Sequence, residues 1–384
     1  MTSQSPSKAA ALTLLCVACL TIMVGCVIVP GLPSVAKHLG VSEYASSLVT
    51  IPSLGVVIFG PIAGRIIDRT GLRRSLCIGL FLYGLLGAYG MFLHGTYVVF
   101  ADRLLLGGAT ALVMSAGTGM ISALYEGHAR LTMIARQGMS IELGGVIFLS
   151  IGGMLAAQGW QYPFLLYLIA WLLLAMVIAL VPSVDAVEPE ADDQAMTPVS
   201  AELKLVYLAA AGSMILFFTG IIALPLALAT IGFNETLNGY FLSFISLVAV
   251  GAAFMMPRIA SRIGEHRTLT LAFIFYGVAH AVFAMAASTP IFTIGGIAMG
   301  FGFGLSVPLV NHMTVEQSHV KQRGRNLAYL SMAIFLGQFL SSFMNIASSD
   351  IHRVFIAALI LACCALFVVT IAHSRLRAST THHS

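Results

Sequence analysis

The chain carries one loop twice, first as Gly64-Arg65-Ile66-Ile67-Asp68-Arg69-Thr70-Gly71-Leu72-Arg73-Arg74 and later as Pro257-Arg258-Ile259-Ala260-Ser261-Arg262-Ile263-Gly264-Glu265-His266-Arg267. Gly71 aligns with Gly264 and Arg69 with Arg262, an offset of 193 residues. Each copy lies between two long apolar segments. A basic loop with a glycine that recurs half a chain later indicates a duplicated bundle of membrane helices.

The composition independently indicates a membrane protein. Hydrophobic residues make up 59% of the 384 residues and charged residues only 9%, whereas soluble domains hold roughly 25% charged residues. A helix needs about 20 apolar residues to cross a bilayer. Twelve such segments occur, at 9–33, 44–67, 74–93, 97–122, 137–157, 162–182, 203–230, 236–258, 268–287, 290–315, 325–349 and 351–373. We therefore predict an all-α membrane protein with twelve transmembrane helices in two pseudo-symmetric six-helix bundles.

One polar stretch divides these segments into two sets of six. Residues 183–202 carry six acidic side chains, and prolines stand in or beside the stretch at positions 182, 189 and 198. This composition is typical of a flexible linker. We predict an N-terminal bundle over 1–182, an acidic cytoplasmic linker over 183–202 and a C-terminal bundle over 203–384. A solvated spacer without a regulatory role is the simpler interpretation of the linker.

The distribution of Lys and Arg predicts the orientation in the membrane. With a cytoplasmic N-terminus, sixteen of the nineteen Lys and Arg residues fall on the cytoplasmic side. Only Lys37 and Arg353 fall outside, and Arg103 lies within a span. Because cytoplasmic loops are enriched in these residues, we expect both termini in the cytoplasm. The net charge of +4 then reflects topology rather than nucleic-acid binding.

The first loop resembles the loop between helices 2 and 3 of the major facilitator superfamily of transporters. The residues that carry this resemblance are Gly64, Asp68, Arg69, Gly71, Arg73 and Arg74. The second copy has Ser261 in place of Asp68 and lacks the first glycine. The segment from Pro33 to Ser42 resembles the helix-1 exit of drug-exporter-type members. The resemblance covers essentially the whole chain and implies a secondary transporter similar to drug/proton antiporters.

The resemblance also implies a cytoplasmic gate. In relatives, acids at the cytoplasmic ends of helices pair with the arginines of the repeated loop and hold the gate shut. The gate here would combine the residues of the first loop with Glu126, Arg130, Arg262 and Glu316. Ordinary surface ion pairs, which contribute little to stability, are the alternative interpretation.

Glu142 is the first candidate for proton coupling, because an ionisable group inside a span is costly and suggests function. It lies about one and a half turns into the predicted helix 137–157. In an apolar bundle the charged form loses hydration, so this carboxyl is expected to bind and release a proton. A pair with Arg130 or Arg136 is the alternative, since Arg136 lies only about 9 Å away along the helix.

Arg103 and Asp102 are the second candidates. Arg103 followed by Gly107 resembles the helix-4 signature of the family, and the resemblance implies a part in proton coupling. The offset of 193 maps Arg103 onto Gly296 and Gly107 onto Gly300, so the first half alone keeps the charge. An ion pair between Asp102 and Arg103 that only locks the bundle is the alternative.

Polar side chains of the C-terminal bundle are the candidates for the substrate cavity, namely His280, Asn311, His312, Gln338 and Asn345. We expect proton-coupled export of a small amphipathic molecule, such as a drug or a siderophore-like metabolite, across a bacterial inner membrane. The alternative is an uptake or efflux carrier for a neutral solute such as a sugar or an amino acid.

No enzyme signature is evident in the sequence. It has no phosphate-binding loop, and its serines lack a base partner at a suitable spacing. The spacing of His312, Glu316 and His319 resembles a metal site, but we predict neither a metal nor another cofactor. The expected partners are a small-molecule substrate, protons and the lipid bilayer, with no nucleic acid. We expect the protein to act as a monomer.

Overall fold

The computed structural model describes residues 7–183, 199–319, 322–346 and 350–381. Helices account for most of this part of the chain. They are α1 Lys8–Cys26, α2 Leu32–His38, α3 Ser47–Thr70, α4 Leu72–Tyr89, α5 Thr96–Leu124, α6 Gly127–Gln158, α7 Tyr162–Leu165, α8 Ile169–Leu180, α9 Ala201–Ala229, α10 Glu235–Ile263, α11 Glu265–Met285, α12 Thr289–Glu316, α13 Arg323–Ile346 and α14 Ile351–Thr381.

Twelve spans in the described residues have the length and apolar composition needed to cross a bilayer. The first span, Lys8–His38, combines α1 with α2, and the sixth, Tyr162–Leu180, combines α7 with α8. The third span, Leu72–Phe92, combines α4 with the 3-10 turn Gly90–Phe92, and each remaining span is a single helix or the greater part of one. The predicted all-α membrane fold with twelve transmembrane helices is confirmed.

The helices group into two compact units. The first holds Met1–Ala195 together with Asn234–Ser243, and the second holds Met196–Phe233 together with Phe244–Ser384. The first unit thus includes the opening turns of α10 as well as the first six spans. Most of the predicted acidic linker, residues 184–198, lies outside the described residues. The boundaries at 182 and 203 stay a prediction.

The repeated loop is a tight helix-to-helix turn in each unit. Gly71 has φ +81° and its N–H donates to Ile67 O at 2.8 Å, while Gly264 has φ +89° and donates to Ala260 O at 2.9 Å. Glycine adopts such positive φ values without a steric penalty. One glycine therefore ends one helix and starts the next, which makes consecutive spans close neighbours.

A close contact between two helices, made possible by a glycine, also occurs once in each unit. On α5, Gly107 lies so close to the carbonyl of Pro52 on α3 that a Cβ would collide with it. On α12, Gly300 approaches Ile245 O of α10 in the same way. Gly300 corresponds to Gly107 and Ile245 to Pro52, each by the offset of 193 residues. The close crossing of α3 with α5 therefore recurs between α10 and α12, as expected for helices that meet through small residues.

Candidate functional site

Glu142 lies near the middle of α6. This helix begins at Gly127 rather than at residue 137, because a hydropathy pattern does not detect the polar turns that precede an apolar segment. Glu142 is therefore about 22 Å from the start of the helix, at 1.5 Å per residue. The carboxyl is deeper in the helix than the sequence predicted.

Glu142 is partly exposed and forms no hydrogen bond or ion pair with any described residue. Both arginines considered as its partners are exposed. Arg130 Nε donates to Tyr125 O at 2.8 Å. Burial raises the pKa of Tyr125, and the Arg136 guanidinium nearby opposes that shift. These arginines thus interact with Tyr125, which precedes α6, and no other described residue gives the carboxyl of Glu142 a compensating charge.

The helix of the first span, which packs against α6, is interrupted after Cys26. α1 ends at Cys26, a short 3-10 turn covers Val29–Gly31, and α2 resumes at Leu32. Glu142 is close enough to the Cys26 thiol to interact with it electrostatically. On the same helix, Gly152 packs directly on the carbonyl of Val27. Residues 27–31 are all buried, and Pro30 O accepts a hydrogen bond from Asn238 Nδ2 at 3.3 Å, so the interruption is enclosed within the first unit.

Asp102 and Arg103 form a buried ion pair in the first unit. Arg103 Nη2 lies 3.1 Å from Asp102 Oδ2, and the two side chains are 6% and 1% exposed, respectively, for Asp102 and Arg103. The Arg103 guanidinium carbon lies 5.3 Å from the ring centroid of Phe164 and 5.8 Å from that of Tyr167. Gly90 leaves the space that the guanidinium fills. Asp102 thus compensates the charge of Arg103, and aromatic rings enclose the guanidinium. This arrangement is compatible both with a structural ion pair that stabilises the bundle and with a pair that takes part in proton coupling.

Two tyrosines connect this cluster to α1. The Tyr83 hydroxyl donates to Leu20 O at 2.7 Å, and the Tyr167 hydroxyl donates to Val24 O in a longer bond of 3.4 Å. Their rings lie 5.5 Å apart. Since Leu20 and Val24 occupy adjacent turns, the two hydroxyls hold the end of α1 just before the interruption.

The predicted gate residues lie at or near helix ends, and most of their charged side chains are exposed. Asp68, Arg69, Arg74, Glu126, Arg130, Arg262 and Glu316 are all exposed. Arg73 Nη2 donates to Ile178 O at 2.6 Å, at the end of α8. Within each unit, no described ion pair joins Glu126 or Glu316 to an arginine of the neighbouring loop. Gly64 has open space around its Cα.

The predicted cavity residues separate into two sets. His280 is fully buried in the second unit, where its Nε2 lies 3.0 Å from Leu216 O and its ring contacts Phe283 and Phe355. Gln338 is also buried, at 6% exposure. His280 is thus packed in the core of this unit, and both side chains are largely shielded from solvent in this structure.

The second set is accessible. Asn311 and His312 are exposed on α12, and Asn345 is partly exposed on α13. His312 Nε2 lies 3.1 Å from a carboxylate oxygen of Glu265 on α11. No group of three His, Cys, Asp or Glu side chains suited to a metal ion occurs in the described part of the chain. His312 and Glu265 therefore form a polar pair at the ends of α11 and α12.

Comparison with known proteins decides the family. The profile of the Major Facilitator Superfamily matches residues 13–342. The chain belongs to this superfamily. It is a multi-pass membrane protein of a family that transports small molecules.

Two relatives of this facilitator are named for resistance or efflux. The quinolone resistance protein NorA of Staphylococcus aureus is 27% identical over 138 residues, which is 36% of this chain and 36% of NorA. The multi-drug resistance efflux pump PmrA of Streptococcus pneumoniae is 24% identical over 332 residues, covering 81% of this chain and 82% of PmrA. A crystal structure of a mutant of the nucleoside transporter NupG shares the fold, with a TM-score of 0.79, 12% identity and coverage of 94% of this chain and 99% of NupG.

Three residues of this facilitator that contact the candidate site residues were not predicted from the sequence: Tyr83, Tyr167 and Glu265. Tyr83 and Tyr167 could have been found from the need of a buried hydroxyl for an acceptor. Glu265 could have been found from the repeat: it corresponds to Leu72, and its partner His312 corresponds to Gly119, against which Leu72 packs. An apolar contact in the first unit is thus an ionisable pair in the second.

Proposed function

We propose that this facilitator exports a small amphipathic molecule from the bacterial cytoplasm in exchange for protons. The single observation that carries the proposal is Glu142, a carboxyl in the middle of a membrane span with no ionic partner among the described residues. We further propose an inner-membrane location, cytoplasmic termini and action as a monomer; the distribution of Lys and Arg supports the orientation.

The chemistry follows from the cost of an unpaired charge in an apolar bundle. A carboxyl without a compensating cation is neutralised either by a proton or by a cationic or hydrogen-bonding group of the substrate. If both compete for Glu142, release of one accompanies binding of the other, which is the basis of antiport.

Asp102 and Arg103 have a different part in this proposal. Their charges neutralise each other at 3.1 Å, so neither is free to carry a proton without breaking the pair. Through the contact of Arg103 with Tyr167, the pair supports the end of α1 next to Glu142. They act as positioning residues for the proton carrier.

The direction and the substrate class rest on the relatives and on composition. The names of NorA and PmrA refer to quinolone resistance and to multi-drug efflux. At 27% and 24% identity these names support export of amphipathic compounds as a proposal for this chain. With 9% charged residues, the protein offers few groups for a highly charged solute.

Everted membrane vesicles with an acidic lumen test the proposal. Cationic dyes, drugs and iron chelators are added outside, which corresponds to the cytoplasmic side, while an acridine dye reports lumenal pH. A substrate that is exchanged for protons makes the lumen less acidic. We expect this response in the wild type and in the control Glu43→Gln, whose carboxyl is exposed in the short turn Ser42–Tyr44, and its loss in Glu142→Gln.

Two results would contradict the proposal. Full substrate-dependent proton release by Glu142→Gln would remove the role of that carboxyl. A flat response across the whole panel, with correctly inserted protein, would favour a carrier for a neutral solute such as a sugar or an amino acid.

A further inference from the structure

Two aromatic rings are stacked at one end of the first unit. The imidazole of His38, the last residue of α2, lies against the indole of Trp160, with 5.0 Å between the ring centroids and 9° between the ring planes. Trp160 belongs to the connection 159–161 that joins α6 to α7. The next span begins at Ser47 and ends at the Gly71 turn, so the stack and the repeated loop lie at opposite ends of the unit. In the orientation proposed above, the stack is on the outer side of the membrane.

One ring nitrogen of His38 is fixed, and the other is the site that gains a proton. Nδ1 lies 2.8 Å from Ser34 O, one turn earlier on α2, and since a carbonyl can only accept, Nδ1 carries the hydrogen. In the neutral ring, Nε2 is therefore the unprotonated nitrogen. The side chain of His38 is exposed, so the ring exchanges protons with the surrounding water.

His38 has no ion-pair partner among the described residues. The connection before α5 approaches α2 through a hydrogen bond from Gly95 N–H to Leu39 O at 2.9 Å, and the start of α10 lies beside Gly31. His94, in the connection before α5, is also exposed, which makes it a matched control. The ionisable groups on α2 and on the elements around it are Lys37, Glu43, Tyr44, His94, Tyr162 and Glu235.

A protonated His38 holds Trp160 more strongly than a neutral one. A cation over the face of an indole ring is attracted by the electrons of that face, in addition to the packing of the two rings. Histidine side chains gain this charge as the pH falls from about 8 to about 5. The contact is therefore stronger in acid, which is the condition on the outer side of a membrane with an inward proton gradient.

The contact continues inward to the buried ion pair. The ring of Trp160 meets that of Phe164 edge-on, with 6.3 Å between the centroids and 81° between the planes. Phe164 is 0% exposed, and the guanidinium carbon of Arg103 lies 5.3 Å from its ring centroid. A Cβ on Gly90 would touch both the guanidinium and the Phe164 ring, so these two groups share one enclosed site. Trp160 thus connects an exposed histidine to the enclosure of Arg103 through two ring contacts.

The second copy of the repeat has none of these side chains. The offset of 193 relates His38, Trp160, Phe164 and Arg103 to Ile231, Arg353, Ala357 and Gly296. The histidine and the tryptophan therefore occur in the copy that holds the buried ion pair. A stack that serves the ion pair explains this distribution, whereas a contact that only stabilises the fold would be equally useful in either copy.

We propose that His38 is a pH-responsive positioning residue, whose protonated ring holds Trp160 in place and thereby keeps Phe164 in contact with Arg103. Acidification of the outer side strengthens this contact, and an alkaline pH loosens it. The ion pair is then enclosed most tightly when protons are abundant outside, the condition that drives an antiporter. The role of the ion pair in transport rests on the proposed function, whereas the contact itself is measured without transport.

Tryptophan fluorescence measures the contact directly, because an imidazolium that touches an indole ring quenches its emission more strongly than a neutral imidazole does. Trp171→Phe leaves Trp160 as the only tryptophan, and the new phenyl ring can keep the stacking of Trp171 on Phe81. The purified full-length variant in nanodiscs of neutral lipid is titrated from about pH 8 to about pH 5. We expect the emission to fall in one step, which should disappear in His38→Gln and remain in His94→Gln.

A thermodynamic cycle tests whether the contact reaches the ion pair. His38→Gln should lower the midpoint of chemical unfolding at the acidic end of the titration and leave it nearly unchanged at the alkaline end. Asp102→Asn combined with Arg103→Met removes both charges of the pair, and Phe164→Leu, as an independent background, removes the ring between the stack and the pair. In either background the acid-specific loss caused by His38→Gln should shrink, although changes at separate sites normally add.

Three results would overturn the proposal. The first is a fluorescence step that is absent, or that survives in His38→Gln. The second is an equal loss of stability at both ends of the titration, which marks an ordinary packing contact. The third is an acid-specific loss that is unchanged in both backgrounds, which would show that the contact ends at Trp160. Each result is obtained without a transport assay, so failure of this contact and failure of the proposed antiport are distinguishable.

Discussion

Replacing Asp102 with Asn should destabilise the protein by about 3 to 5 kcal/mol, the usual effect of removing one partner of a buried ion pair. The remaining partner, Arg103, is 1% exposed, so water cannot compensate for the lost carboxylate. The rings of Phe164 and Tyr167 still enclose the guanidinium after the substitution. Exposed ion pairs contribute only about 0.2 to 1 kcal/mol, so the expected loss is several times larger.

A double-mutant cycle separates the pair from its surroundings. Arg103→Met leaves the Asp102 carboxylate unpaired and should be destabilising to a similar extent. The double variant Asp102→Asn with Arg103→Met removes both charges, so we expect it to regain most of the lost stability. Arg353→Met is the control, because its ion pair with Asp350 is exposed and has an N–O distance of 3.5 Å.

The assay is equilibrium unfolding in mixed micelles, followed by tryptophan fluorescence. Both tryptophans, Trp160 and Trp171, lie in the first unit and report on the structure around the pair. A loss below about 1 kcal/mol for Asp102→Asn, the range of an exposed pair, would refute the reasoning, and so would a double variant as unstable as the single ones. Transport by the stable double variant distinguishes the two roles: recovered transport indicates a structural lock, and absent transport indicates coupling.

Three further predictions concern the loop, the crossing and the tyrosines. Asp68→Asn should abolish transport in the vesicle assay at normal expression, and wild-type transport by this variant would remove the gate hypothesis. Gly107→Val should prevent accumulation of folded protein because its side chain collides with Pro52 O, whereas Gly60→Val, which meets open space, should be tolerated; equal yields would contradict the crossing. Tyr83→Phe should lower the stability by about 1 kcal/mol, the value of one hydrogen bond, in the same unfolding assay.

The number and order of the spans could be predicted because each is a long apolar segment and the repeat fixes the pairing of helices across the loops. The ends could not be predicted equally well. The start of α6 at Gly127 was missed, since the polar turn around Arg130 resembles a loop in hydropathy. The segment 9–33 was predicted as one continuous span, whereas the helix is interrupted between Cys26 and Leu32.

The candidate site was predicted in part. The ion pair of Asp102 and Arg103, considered as an alternative, is present. His280 and Gln338 were expected in a cavity, and both are buried. In a helix that is apolar on all faces, periodicity carries no information about which face contacts a neighbour, so a single polar residue cannot be assigned to a cavity or a core. The pairing of His312 with Glu265 could not be predicted from spacing either, because the two residues lie on different helices.

The two copies of the repeat share the glycine of the loop but differ in the ionisable residues of their spans. Gly71 and Gly264 keep the same positive φ, because any side chain there is strained in either copy. Ionisable groups face the opposite constraint: each is costly in a span and persists only where something offsets the cost. Glu142 corresponds to Phe335, and Arg103 to Gly296. The first unit therefore holds the carboxyl proposed to carry the proton and the ion pair proposed to position it, while in the second unit the Phe283 ring packs against Gly295 in place of that ion pair.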